Sequence, residues 1–145
     1  MELKNFNDTL ILRTSIVGRS KEGKNFLDWI MQSIEQKKKV GLYVDAYTSF
    51  IHCNQLSRLI FDLANKNAAG LYNLGSSEVF SKADFSLLLA QRLNIKLDSY
   101  LTKVVEQKIP RADSCGLSSA RIEEKYHIKL PSLEEVVKEC ILEIG

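Results

Sequence analysis

Residues Thr9 to Gly18 read T-L-I-L-R-T-S-I-V-G, a run of β-branched and aliphatic side chains closed by a glycine. Such a run predicts a buried strand that ends in a turn. Arg13 interrupts it, and a guanidinium there must find partners or leave the core along its stem. A polar loop from Arg19 to Lys24 follows. Asn25 then caps a predicted helix with Asp28 in its first turn, an apolar stripe of Phe26, Trp29, Ile30 and Ile34, and Lys37, Lys38 and Lys39 at its C-terminal end. Val40 to Asp45 and Ser49 to His52 read as two further strands, and Leu56, Leu59, Ile60 and Leu63 mark a helix from about Asn54.

Glycines bracket another strand, Gly70 to Gly75. Ser81 to Asp84 is a capping box that opens a helix through Phe85, Leu88, Leu89 and Leu93. Leu101 to Glu106 reads as a strand, Pro110 as a break, and Ser118 as the cap of a short helix ending at Tyr126. After Pro131, Ser132 to Glu135 form a second capping box, opening the last helix. Strands alternating with helices predict an α/β fold, with residues 1–145 as a single domain.

The 145 residues carry 20 Lys and Arg against 18 Asp and Glu, a net charge of +2, with neither half strongly polarised. No nucleic-acid partner is expected from this balance. Uncharged runs are short and mixed with polar residues, so no membrane span is expected either. Met1 to Asn5 carries an acid and no apolar run, nothing like a secretory signal, and the expected compartment is the cytoplasm. Cys53, Cys115 and Cys140 are widely spaced, and neither His52 nor His127 has a second His or Cys at helical spacing. Reduced thiols and no metal site are the expectation.

Catalytic motifs are absent. No G-x-G-x-x-G or phosphate-loop pattern occurs, and Gly75-Ser76-Ser77 lacks the second glycine of a nucleophile elbow. His52 and Cys53 are neighbours in a predicted strand end and so are expected to point to opposite faces. The carboxylates Glu123, Glu124, Glu134, Glu135 and Glu139 share predicted helices with Lys125 and Lys138, as solvated faces do. Polar residues at strand and helix ends remain, where α/β folds place ligands. Asn25 with Lys24, and Arg111 after Pro110, are candidate anion contacts, equally well explained as a helix cap and a surface ion pair.

Seven blocks in order, ILRTSIVG, Asn25-Phe26, VDAYTSF, GLYNLGSSE, SKADF, RADSCGLSSARI and LPSLEE, resemble the C-terminal part of extended short-chain dehydrogenases/reductases, closest to the dTDP-4-dehydrorhamnose reductase type. The resemblance implies a substrate-binding half whose complete enzyme carries an NAD(P)-binding Rossmann half with a catalytic Tyr and Lys four residues apart. No tyrosine here has Lys four places on, so no residue of this chain is expected to be catalytic and the sequence reads as a fragment beginning after the catalytic helix.

The same resemblance places Thr14, Ser15 and Ile16 beside the nicotinamide and Asn25 and Phe26 at the sugar nucleotide's diphosphate. It puts Tyr47 and His52 at the substrate pocket, lined by Val44 to Phe50, and Arg111 on a phosphate or nucleotide. The chain departs from the family pattern at Ala46, Phe50, Gln55 and Ala112. Implied partners are a nucleotide sugar and either a Rossmann half or a second copy, with no tight NAD(P) binding to this chain alone. The alternative is a non-catalytic binding or regulatory subunit that docks on a protein partner. In either case the edge of the Thr9 to Val17 strand would be unpaired in the isolated chain, which implies dimerisation through it or poor solubility.

Overall fold

The computed structural model describes residues 8–104 and 114–145. Among these residues eight strands and five helices succeed one another as β1 (Leu10–Arg13), β2 (Ile16–Val17), α1 (Phe26–Glu35), β3 (Val40–Tyr43), β4 (Tyr47–Thr48), β5 (Ile51–His52), α2 (Cys53–Asn65), β6 (Gly70–Asn73), β7 (Phe80–Ser81), α3 (Lys82–Arg92), β8 (Ser99–Thr102), α4 (Ala120–Tyr126) and α5 (Leu133–Ile144). The expected α/β class is the one observed. Three pairs are parallel, β1 with β6, β2 with β5 and β3 with β8, while β4 and β7 run antiparallel.

The run from Thr9 to Val17 is two strands, not one. Through Arg13 the chain follows β6, with the Leu74 N–H donating to the Arg13 carbonyl at 2.8 Å. From Ser15 it follows β5, the Ile51 N–H donating to the Ser15 carbonyl at 3.0 Å. Thr14 lies at the change of partner. The aliphatic pattern carries through this switch because both segments are partly buried, so composition alone does not reveal it. Arg13 resolves its conflict by leaving the core: it is exposed.

Two apolar clusters hold the elements together. One joins Val17, Leu27, Ile30, Leu42, Phe85, Leu89, Val136 and Val137, with Phe26, Phe50, Phe80 and Phe85 meeting at ring-centre distances of 5.5–6.3 Å. The other packs Ile51, Leu63, Tyr72, Leu74, Ile122 and Leu130 beneath β1 and β6. Helix starts follow side-chain capping. Ser81 and Ser132 form both expected capping boxes, with Asp84 and Glu135 at the third position.

Other boundaries differ from expectation. α2 begins at Cys53 because His52, not Asn54, is its N-cap, paired in a capping box with Gln55. α4 begins after Ser119, whose hydroxyl accepts from the Gly75 N–H at 3.0 Å instead of capping the helix. The last strand starts at Ser99 and ends at Thr102; the expectation for Leu101 to Glu106 falls partly outside the described residues. The three lysines lie beyond α1, which ends at Glu35, and Lys37 turns the chain with φ +52°.

Gly75 packs against the Ser49 loop without room for a side chain: an added Cβ would lie 2.6 Å from the Ser49 carbonyl oxygen and 2.7 Å from its Oγ. Backbone cannot yield as a side chain does. Gly75→Ala is expected to destabilise the fold by about 1–3 kcal/mol, read as a lowered urea midpoint with unchanged denaturant slope.

Candidate functional site

The change of partner at Thr14 opens a gap beside β4. A cavity of about 330 Å³ lies there, lined by Ser15, Tyr43, Ala46, Tyr47, Thr48, Phe50, Lys82, Val104 and Cys115. Its volume is within the range of small-molecule sites. Ser15 Oγ and Thr48 Oγ1 are 3.2 Å apart on one wall, and Tyr47, 44% exposed, stands on another. Pairing of Tyr47 and Thr48 with Ser81 and Phe80 fixes β4, and the Cys115 N–H donates to the Tyr47 carbonyl at 3.0 Å. A larger groove of about 410 Å³ runs between α2 and α5. Arg58, Lys129, Glu135, Lys138 and Glu139 line it, and none of the residues expected to bind substrate or cofactor is among its lining.

Of the sequence candidates, Ser15 and Tyr47 face the cavity. Phe26 lines a smaller neighbouring one of about 190 Å³ together with Trp29 and Tyr43. Thr14 Oγ1 is the only buried side-chain polar atom among the described residues without a hydrogen-bond partner. Ile16 is 55% exposed on β2. Asn25 has both ends of its amide engaged: Oδ1 accepts from the Asp28 N–H at 3.0 Å, and Nδ2 donates to the Gly18 carbonyl. Its part is to fix the first turn of α1 and hence Phe26. Arg111 lies outside the described residues.

His52 is not at the cavity. It is fully buried, and its Nδ1 accepts from the Asn54 N–H at 3.3 Å as the cap of α2. That bond leaves the proton on Nε2, which donates to Glu143 Oε2 at 3.1 Å. Glu143 also accepts from the Arg19 N–H at 2.7 Å, and Glu139 pairs with Arg58. Because the strand stops at His52, strand alternation does not separate it from Cys53. Cys53 Sγ lies 3.9 and 4.0 Å from the two ring nitrogens, both of which already have closer partners, Nδ1 in the Asn54 N–H and Nε2 in Glu143.

Ligand atoms of His52, Cys53 and Glu143 all fall within 4.8 Å of one another. A metal on Nε2 would need the proton moved to Nδ1, where it would oppose the Asn54 N–H and cost the helix its cap. Ordinary hydrogen bonds account for every contact in the cluster.

Two arrangements carry no motif in the sequence, one joining distant segments and one tying a loop to the helix that follows it. Tyr72 on β6 accepts from Lys125 Nζ at 2.8 Å, with the Arg121 guanidinium 4.6 Å from its ring centre. Hydrogen bonding from Lys125, then from Tyr126, holds the Tyr72 phenol below its ordinary pKa. It lines no described cavity and locks α4 onto β6. In the second arrangement, Asp28 is buried. Burial alone would raise its pKa, but the Ser20 hydroxyl and N–H, at 2.8 and 2.9 Å, together with the Asn25 backbone N–H and Arg19, outweigh that and hold it below the ordinary carboxylate value. The Arg19 to Lys24 loop is thereby tied to α1.

Parallel strand pairs, crossover helices and a cleft where one strand changes partner define an α/β half of the kind found in extended short-chain dehydrogenases/reductases. The chain belongs to the RmlD substrate binding domain family, whose model matches residues 2–145. The same fold occurs in dTDP-4-dehydrorhamnose reductase from Bacillus anthracis str. Ames, solved in complex with NADP: TM-score 0.80, 18% identity, covering 92% of this chain and 48% of that one. The reductase ortholog from Clostridium acetobutylicum gives TM-score 0.80 at 16% identity, covering 93% and 48%. The Yersinia enterocolitica reductase gives 0.73 at 24%, covering 89% and 48%. This chain therefore spans about half the length of these solved reductases. No curated protein matches it significantly by sequence.

Asp28→Asn removes a carboxylate that four groups stabilise, and is expected to cost about 1–3 kcal/mol at pH 7. A depressed native pKa stabilises the fold above the unfolded value and ceases to do so as pH falls through the native one. The gap between wild type and variant in chemical denaturation should therefore close as pH drops below about 4, the ordinary aspartate range.

Proposed function

We propose that this chain is the substrate-binding half of an NAD(P)-dependent nucleotide-sugar oxidoreductase and is not catalytic alone. The observation that carries this reading is the cavity at the partner switch, in a chain of this family, lined by Ser15, Tyr47 and Thr48. The Ser15 and Thr48 hydroxyls and the Tyr47 phenol are suited to hydrogen-bond sugar hydroxyls, and Phe26 supports the neighbouring apolar wall. Binding energy gathered here orients the sugar for a reaction whose chemistry is supplied elsewhere.

The cofactor, when bound, supplies the hydride acceptor or donor. This chain has no glycine-rich turn to hold a dinucleotide. Thr14 Oγ1, buried and unpartnered, fits a contact at its edge. Among the described residues β1 pairs on one side only, and Ile16 and Leu71 are exposed apolar residues on β2 and β6. These features support a protein partner, a Rossmann half or a second copy. No helix among the described residues is long and apolar enough to cross a membrane.

Calorimetric titration of the chain with dTDP-glucose, UDP-glucose and NADPH separately tests the reading. Saturable binding of a nucleotide sugar, with binding of NADPH at least tenfold weaker, is expected. Tight NADPH binding, or no binding of either sugar nucleotide, would overturn it.

A further inference from the structure

Two cavities meet at one cation. The 330 Å³ cavity beside Ser15 and the 190 Å³ cavity beside Trp29 share Tyr43 and Lys82 as lining residues. Lys82 is the first residue of α3, and its N–H donates to the Ala46 carbonyl at 3.0 Å, which fixes it beside the polar wall of the larger cavity. Its ammonium lies 5.3 Å from the Phe26 ring centre, beside the smaller one.

Among the described residues no carboxylate forms an ion pair with Lys82. The acid nearest in sequence, Asp84, is engaged by the Ser81 N–H and hydroxyl at 3.0 and 2.7 Å. The first turn of a helix is where the macrodipole disfavours a positive charge. A cation at such a place, between two cavities and with the Phe26 ring but no carboxylate beside it among the described residues, is a poor choice for stability and a good one for receiving an anion.

We propose that Lys82 binds the diphosphate of the nucleotide sugar, with the sugar directed to Ser15 and Thr48 and the nucleoside to Trp29. The inference rests on the function proposed above and adds the residue that sets the ligand's direction. Trp29 is 40% exposed and stacked on Phe26 at 5.9 Å, a flat apolar surface at one end; hydroxyls mark the other. An ammonium binds phosphate as a point charge, and its position between the two ends matches the order of groups in a nucleoside diphosphate sugar.

The test is calorimetry on the full chain and its Lys82→Met, Lys82→Gln and Lys82→Arg variants with dTDP-glucose, thymidine and UDP-glucuronate. The only anion on dTDP-glucose is its diphosphate. Lys82→Met and Lys82→Gln should weaken it about tenfold or more, a charge-assisted contact's worth. Lys82→Arg should stay within about threefold, and whatever thymidine affinity the wild type shows should not change. The neutral variants should unfold at the same temperature as wild type or above it, because they remove a cation from the positive end of α3.

Unchanged dTDP-glucose affinity in both neutral variants would overturn the assignment while leaving the proposed function standing. So would a loss confined to UDP-glucuronate, which would mark a sugar carboxylate instead. Unfolding of both neutral variants would make Lys82 structural and refute the assignment. No sugar-nucleotide binding by the wild type would remove both readings.

Discussion

The exchange of hydrogen-bonding partners across Thr14 and Ser15 governs the rest of this structure. Parallel strands keep a constant separation while they pair, so a chain that leaves one partner for another must open a gap where the two diverge. Arg13 still binds the segment after β6, and Ser15 already binds the head of β5. β4, β7 and the start of α3 are arranged around the resulting space. The side chains that reach it, Ser15, Tyr47, Thr48 and Lys82, come from three separate stretches.

Rigidity around the gap comes from polar groups that are satisfied within the fold. Asn25 bridges Gly18 and Asp28, Asp28 gathers the Arg19 to Lys24 loop, and His52 ties the head of α2 to Glu143 on α5. Gln55 completes the cap on His52 with its carbonyl oxygen and donates its amide to the Glu135 carbonyl at 3.0 Å. An ionised Glu at that position could accept but not donate, so both contacts need the amide of Gln55.

What the sequence made legible was the local chemistry. The α/β alternation, the Asn25 cap and the two capping boxes at Ser81 and Ser132 are contained within four residues each, and each appears as read. Helix ends were harder, because Lys37, Asn67, Asn94 and His127 take the left-handed turn where glycine would have advertised it. The split of the first strand was hidden by continuous aliphatic composition. Contacts such as His52 with Glu143 or Tyr72 with Lys125 span 91 and 53 residues, beyond any spacing rule. The family resemblance implied Ser15 beside the nicotinamide and Tyr47 at the substrate pocket, and both line the one cavity, whereas Lys82 passed as an ordinary residue of a capping box. Its position between two cavities emerges only when β4 and α3 are brought together.

The central claim is that a nucleotide sugar occupies the gap at the partner switch. Its most direct test is the mapping of backbone amide resonances of the ¹⁵N-labelled chain during titration with dTDP-glucose. Saturable shifts concentrated at Ser15, Tyr47, Thr48 and Lys82 are expected, with Arg58 and Lys138 in the α2–α5 groove unmoved. Shifts centred on that groove, or none at saturating ligand, would contradict the claim.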